Sequence, residues 1–284
     1  MSTPYYQDEL VTLYHGDALT VARGMESESV NCIVTSPPYF GLRDYGEDGQ
    51  LGAEASVCEY VENMVALFSE LRRVLADDGT LWLNLGDSYG AGKNLVGGPW
   101  RVALALQSDG WILRSEIIWA KSNPMPESVT DRPTKSHETI FLFVKSPRYY
   151  YDAAAIAEES DRSDKHSRFG SNKASGMPEN RIHSGNTWMP SGTRNKRDVW
   201  TVGSAPFPGA HFAVYPPELI RPCILAATKP GGVVLDPFSG SGTTGMVATQ
   251  EGRKYAGIDL NRDYLDLSLK TRFAQPVLNF GDIA

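Results

Sequence analysis

Residues 235–245 read Leu-Asp-Pro-Phe-Ser-Gly-Ser-Gly-Thr-Thr-Gly, and Gly240, Gly242 and Gly245 keep the spacing G-x-G-x-x-G. An apolar, β-branched run at 233–235 precedes them and a helical pattern follows. The spacing predicts a strand, a tight turn and a helix, because glycine tolerates the backbone angles of such a turn and lets a ligand approach the main chain. Asp259 ends the next predicted strand, 255–258, nineteen positions after Gly240. An acid there can accept hydrogen bonds from ribose hydroxyls. The turn therefore points to a cofactor that contains a nucleoside.

Three cofactor classes compete for such a turn. A nucleoside triphosphate needs a lysine before the threonine of its phosphate loop, and Gly242 stands there before Thr243 and Thr244. A nicotinamide dinucleotide fits the spacing, but only 25 residues follow Asp259 in the 284-residue chain. The other strands must therefore lie N-terminal to the turn, which implies a circularly permuted order. S-adenosylmethionine has no phosphate to cradle. A glycine turn carrying Asp236, Pro237 and Phe238 suits its charged methionine end and its adenosine.

Working outward, residues 9–14 read as a short strand that stops at His15-Gly16-Asp17. Residues 30–35, Val-Asn-Cys-Ile-Val-Thr, form a compact β-branched run that reads as a buried strand stopped by proline. Apolar positions recur at helical spacing over 60–75; Asp77-Asp78-Gly79 ends that helix, and 80–85 is the next strand. A helix near 99–109, strands at 111–120 and 138–144, and a helix at 217–228 complete the pattern. Strand–helix alternation of this kind predicts an α/β fold around a mostly parallel sheet.

In such a sheet the site lies at the carboxyl ends of the strands. Ser36-Pro37-Pro38-Tyr39 follows the strand at 30–35 directly. Two prolines stiffen the turn and remove two backbone donors, leaving an acceptor-rich patch, and Tyr39 adds a flat face. An exocyclic amino group on cytosine or adenine is a poor nucleophile because its lone pair is conjugated with the ring. The Ser36 hydroxyl and the Pro37 carbonyl are natural acceptors for its hydrogens and would turn the lone pair towards a methyl sulfonium. Tyr39 can stack on a base taken out of the duplex. The work required is positioning and electrostatics.

The texture changes after residue 146. Residues 157–200 are rich in Ser, Asn, Gly, Arg and Lys, with little periodicity. They read as a loop-rich insert, bounded here as 151–204, between catalytic-domain segments 1–150 and 205–284. Arg162, Lys165, Arg168, Lys173, Arg181, Arg194, Lys196 and Arg197 outnumber the acidic residues between 160 and 200 eight to four, while the whole chain carries −7. An acidic body with one basic segment can hold a phosphate backbone, because the contact is local and screening acts over about 8–10 Å. Arg43 and Lys121 are further candidates for contact with DNA.

Together these residues resemble the β-class DNA amino-methyltransferases, which modify cytosine N4 or adenine N6. Ser36-Pro37-Pro38-Tyr39 resembles the catalytic motif, and Asp236 to Thr244 resembles the cofactor loop. Ile258-Asp259 resembles the ribose-binding strand end. His211-Phe212-Ala213-Val214-Tyr215-Pro216 is similar to the motif that lines the methionine side of the pocket, and Gly16-Asp17-Ala18 to the adenine-side element. The order is that of the β class, with the catalytic turn first, a recognition region next and the cofactor motif last. The resemblance implies a permuted Rossmann-like methyltransferase fold with S-adenosyl-L-methionine as cofactor and double-stranded DNA as partner. It also implies a homodimer and a cognate restriction endonuclease acting on the same site. Serine at the first motif position favours N4-cytosine, with N6-adenine as the alternative. A DNA-binding regulator that keeps the fold without turnover is the more remote alternative. Glutamine methyltransferases with Asn-Pro-Pro-Tyr place the cofactor motif first, so the order here disfavours them.

Other features bound the reading. The three cysteines, Cys32, Cys58 and Cys223, are scattered, which fits a reducing cytoplasm, with nucleoid association through DNA. No metal is expected, and no apolar run is long enough to span a membrane. Pro222-Cys223 resembles the nucleophile of cytosine carbon-5 methylases but precedes the cofactor motif inside a predicted helix, so Cys223 is expected to be a core thiol. Asn84-Leu85-Gly86-Asp87 and the exit Trp119, Lys121, Asn123, Pro124 each read equally as site border or plain turn. Arg43-Asp44-Tyr45-Gly46 reads equally as a phosphate contact or a solvated loop.

Overall fold

The β-branched run at 30–35 forms the strand that organises the molecule. In a computed structural model, which describes residues 3–42, 46, 49–160, 192–204 and 215–273, strand β3 spans Val30–Thr35. Its side chains alternate between two cores. Val30 and Ile33 face one, Cys32 and Val34 the other. A strand buried on both faces needs no polar alternation, which is why this run reads as continuously apolar.

Before it lie β1 (Tyr6–Gln7), β2 (Val11–His15) and α1 (Ala18–Arg23). After it come α2 (Val57–Val74), β4 (Leu75–Leu85), α3 (Gly98–Ser108), β5 (Ile112–Lys121), β6 (His137–Val144), β7 (Glu158–Glu159), β8 (Thr193–Arg194) and β9 (Val199–Val202). The chain then forms α4 (Pro217–Ala227), β10 (Val233–Asp236), α5 (Thr243–Gln250), β11 (Lys254–Asp259) and α6 (Arg262–Ser268). Among the described residues nine strands make one sheet in the order β1-β2-β11-β10-β3-β4-β6-β5-β9. The central run β2-β11-β10-β3-β4 is parallel throughout. β6 runs against both its neighbours, β4 and β5. Helices α1, α2 and α3 pack on one face of the sheet, α4, α5 and α6 on the other. The expected α/β fold with a mostly parallel sheet and permuted strand order is therefore present.

The helix expected over 60–75 passes into β4 without the separate turn expected at 77–79. Leu75 already pairs with Val30, and Thr80 resumes the ladder opposite Cys32 after a register shift. Gly79 occupies the bulge because a Cβ there would fall 2.8 Å from the Asn31 carbonyl oxygen.

Both edges of the insert expected at 151–204 belong to the main body. Strand β9 pairs with β5 in the sheet, and Trp200 is buried. Ile156 is buried in the same core as α4, and the Asp152 amide donates to Ala226 O at 2.7 Å. Hairpin β7–β8 closes the base of the segment, with Glu158 opposite Arg194. Short apolar stretches inside a polar composition hid these elements from periodicity. The segment between, 161–191, lies outside the described residues.

Candidate active site

The chain reverses its direction of travel across the sheet between β3 and β10. β10 leads through α5 to β11 on one side, and β3 leads through α2 to β4 on the other. In such a sheet the place for a ligand is the switch point, outside the carboxyl ends of β3 and β10. Ser36-Pro37-Pro38-Tyr39 leaves β3, and the glycine turn leaves β10. The Thr35 hydroxyl donates to Asp236 Oδ1 at 2.7 Å and joins the two.

Asp236 is 2% exposed and accepts four bonds, all from within the protein. Besides Thr35 these come from the Phe238 amide (3.0 Å), the Tyr215 hydroxyl (3.0 Å) and the Thr244 hydroxyl (2.6 Å). Tyr215 and Thr244 are also bonded to each other. Burial pushes the Asp236 carboxyl up to about 6, against the opposing pull of these donors. Asp236 thus braces the turn from beneath. Gly240 and Gly242 have φ of +49° and +76°, which only glycine adopts without strain. A Cβ on Gly245 would fall 2.5 Å from Tyr255, so the third glycine serves helix–strand packing.

Asp259 ends β11 beside this turn. Its Oδ2 accepts from the Gly240 amide at 2.6 Å and its Oδ1 from the Asn261 amide at 2.9 Å. An acid at this strand end is the group that can accept from ribose hydroxyls. The Gly16 amide donates to the Asp259 carbonyl at 2.9 Å, which brings the Gly16-Asp17-Ala18 element to the same strand ends. The Asp17 side chain caps α1 by accepting from the Thr20 amide and hydroxyl, and Ala18 is buried. A Cβ on Gly240 would meet nothing closer than 4.0 Å, so the turn is open to a ligand above it. The open turn, the acid beside it and the lack of a phosphate-loop lysine fit an adenosyl cofactor. His211 and Phe212 lie outside the described residues.

The Ser36–Tyr39 turn joins a polar cluster that draws on four strands. The Tyr39 hydroxyl lies 2.9 Å from Ser36 Oγ and donates to Glu138 Oε2 at 2.8 Å. Asn84, 4% exposed, donates through Nδ2 to Tyr39 (2.8 Å), Glu138 (2.8 Å) and more weakly Ser36 (3.3 Å). Lys121 Nζ pairs with Glu138 Oε1 at 2.5 Å and lies over the Trp119 ring. Pro37 is buried, and the Pro38 carbonyl accepts from the Tyr60 hydroxyl at 2.9 Å. The Tyr39 ring lies against Gly86, where a Cβ would fall 2.5 Å from Cε2.

Of the two ambiguous turns, Asn84 belongs to the site, whereas Asp87 caps α3 by accepting from the Gly97 and Gly98 amides. Asn123 bonds Ser204, tying the exit of β5 to that of β9. Lys121 is held in the catalytic cluster by Glu138, away from the free cation expected of a phosphate contact. Glu138 went unnoticed in the sequence. The signal was an acid at the start of an otherwise apolar strand. Cys223 is a buried thiol in α4, pushed up by burial.

Of the candidate DNA-binding residues, Arg43, Arg162, Lys165, Arg168, Lys173 and Arg181 lie outside the described residues. Arg194, Lys196 and Arg197 gather on Glu158 at 3.5, 3.7 and 3.0 Å. Burial would raise the Glu158 carboxyl, but bonds and charge from Arg197, with the charge of Lys196, outweigh it and hold it below the usual range. Three cations share this one carboxylate. Among the described residues no group of three or more His, Cys, Asp and Glu could hold a metal, and no helix is long and apolar enough to cross a membrane. A depression of about 290 Å³, lined by Asp8, Val30, Val233 and Lys254 among others, lies at the amino ends of β3, β10 and β11, away from both turns.

The chain is similar to known DNA methylases along most of its length. It is 50% identical to the Type II methyltransferase M.Cfr9I of Citrobacter freundii, over 91% of this chain and 86% of that protein. It is 44% identical to M.SmaI of Serratia marcescens, over 89% and 87%. The PvuII DNA methyltransferase (cytosine-N4-specific) superposes with a TM-score of 0.73 at 21% identity, covering all of this chain and 91% of the other. The M1.HpyAVI–SAM complex superposes at 0.56 and 18% identity, over 92% and 98%, and these two likenesses speak for the fold. The model of the DNA methylase family N6_N4_Mtase matches residues 30–270, and with the Ser36–Tyr39 turn and the glycine turn leaving adjacent strand ends the chain belongs to that family of DNA amino-methyltransferases.

Proposed function

We propose that this protein methylates the N4 amino group of a cytosine held out of duplex DNA, with S-adenosylmethionine as methyl donor. The observation that carries the reading is the meeting of Ser36 and the Asp236 turn at adjacent strand ends, joined by the Thr35–Asp236 bond. The cofactor, when bound, supplies an electrophilic methyl on a sulfonium. The open turn at Gly240 and the Asp259 carboxylate are the groups that would hold its adenosine. Ser36 Oγ and the Pro37 carbonyl would accept the amino hydrogens and orient the lone pair. A hydroxyl in the place of a carboxylate favours cytosine over adenine. We take the segment 161–191, with Arg194, Lys196 and Arg197 at its base, as the recognition region. Phosphate contacts position such a region on DNA, and its own side chains select the sequence. A homodimer and a partner endonuclease for the same site belong to the same proposal.

The test is to incubate the protein with methylase-free genomic DNA and cofactor, digest to nucleosides and run mass spectrometry beside Ser36→Ala. N4-methylcytosine that depends on Ser36 is expected. N6-methyladenine would overturn the choice of base, and the absence of both would overturn the reaction.

A further inference from the structure

Methyl transfer to an amino group leaves a proton to be removed. The nitrogen attacks the methyl carbon, the C–S bond breaks and its electron pair stays on sulfur as a neutral thioether. The methylated nitrogen then carries a positive charge and one hydrogen too many. On the electron-poor ring of cytosine such an exocyclic ammonium has lost its conjugation with the ring and is strongly acidic, so a carboxylate can take its proton.

The direction of each hydrogen bond in the cluster follows from its acceptor. Ionised Glu138 can only accept, so the Asn84 amide nitrogen must face it, and that nitrogen donates to Tyr39 as well. The single proton of the Tyr39 hydroxyl goes to Glu138 Oε2 at 2.8 Å. The Ser36 proton must then go to the Tyr39 oxygen at 2.9 Å. Ser36 thereby gives its proton inward and keeps acceptor capacity for the base. Both links of the chain from Ser36 to Glu138 sit within the protein, with Asn84 almost fully buried alongside. Burial, followed by the charge of Glu138, pushes the Tyr39 hydroxyl well above its ordinary value, so it relays a proton and does not store a charge.

We propose that Glu138 is the terminal acceptor of the reaction's proton, reached through Ser36 and Tyr39. The proton moves from the methylated nitrogen to Ser36 Oγ, the Ser36 proton to the Tyr39 oxygen, and the Tyr39 proton to Glu138 Oε2. The sulfonium and carboxylate charges both disappear, and the base leaves neutral. Glu138 does not touch the base, so it is a positioning and proton-accepting residue. The charged and titratable groups set against it are Tyr39 after β3, Lys121 on β5 and Lys135 before β6, with Asp87 facing Lys135. Lys121 pairs with Glu138 Oε1 at 2.5 Å, on the carboxylate oxygen opposite the one that faces Tyr39.

The inference rests on the proposed amino-methyl transfer, and the experiment separates the two. Single-turnover methylation is followed against pH at saturating cofactor and DNA, because Asp236 also changes charge near pH 6 and would otherwise affect binding. The wild-type rate is expected to fall towards acid pH, because a terminal acceptor that already holds a proton cannot take the reaction's proton. Glu138→Gln is expected to lose about 10²-fold in rate, to bind cofactor and DNA as before, and to lose the acid limb. Tyr39→Phe, which keeps the ring and removes the link, should show the same two changes. A Glu138→Gln rate within twofold of wild type would overturn the inference. So would a slowed variant that keeps the wild-type pH profile, since a merely structural role would leave the profile in place. If the wild-type protein methylates no DNA, the proposed function itself fails.

Discussion

The Thr35 hydroxyl and the Asp236 carboxylate, 201 positions apart in the chain, are 2.7 Å apart in the structure. The bond ties the last residue of β3 to the last residue of β10, so the catalytic turn and the cofactor turn share one support. Thr35→Val keeps the shape and removes the donor. A hydrogen bond to a charged group contributes about 1.5–3 kcal/mol, so a loss of that order is expected in urea unfolding at pH 7.5. The loss should be smaller at pH 5, where Asp236 is largely protonated. Equal losses at both pH values would mean that the bond does not act through the carboxylate charge.

Asp236 itself makes stability depend on pH. Its folded value of about 6 lies above the ordinary carboxyl value of 3.8, so the folded state holds a proton that the unfolded chain has released. Stability contributed by this group is present below pH 3.8 and lost as pH rises to about 6. At neutral pH the cost is at most about 3 kcal/mol. Asp236→Asn should therefore flatten stability over that window, and because its amide nitrogen cannot accept it also leaves the two donors on one oxygen unmatched, which lowers stability at all pH values and weakens cofactor binding. Chemical denaturation at a series of pH values checks this, and an unchanged pH slope would contradict it.

Two glycines can be told apart by what an added methyl would strike. At Gly86 it would meet the Tyr39 ring, and at Gly245 it would meet Tyr255. Gly86→Ala should reduce turnover at least tenfold, by displacing Tyr39 from Ser36 and Glu138, with cofactor affinity kept. Gly245→Ala should lower stability by about 1–3 kcal/mol through overpacking. Turnover and unfolding are measured on both variants, and unchanged turnover in Gly86→Ala would mean that Tyr39 is not seated on Gly86.

The cations on Glu158 predict a salt effect. Arg194, Lys196 and Arg197 set three positive charges around one carboxylate, a net of two for these four side chains. Replacing all three by alanine should reduce the slope of log affinity against log salt by about 2. Binding to duplex DNA at several salt concentrations measures the slope, and no change would remove this surface from the DNA interface.

Much of this architecture is written in local pattern. The runs at 30–35 and 233–235 are β-branched, apolar and stopped by Pro or Gly, so they read as strands in any context. The glycine turn follows from spacing alone. Contacts made by topology are not written there. Ser36, Asn84, Lys121 and Glu138 come from four strands, and only the order β3-β4-β6-β5 brings them together. An acid at position 138 looks like any surface acid until β4 and β5 flank it. Strand β9 was hidden for a different reason. Four residues after a long polar segment are too few to show a period, and pairing with β5 decides their state. The Tyr39 ring has the flat face expected of it, but its hydroxyl has a second use that no local pattern could show.

The hairpin β7–β8 has a consequence for how such a protein can change. Glu159 stands opposite Thr193, and the Ser160 amide donates to the Gly192 carbonyl at 2.8 Å. The chain therefore leaves for residue 161 and returns from residue 191 at nearly the same point. A segment whose two ends meet can grow, shrink or be exchanged at small entropic cost, without shifting the strands on either side. Whatever residues 161–191 read, that vocabulary can be rewritten while the grammar of the reaction, held in the sheet, stays fixed.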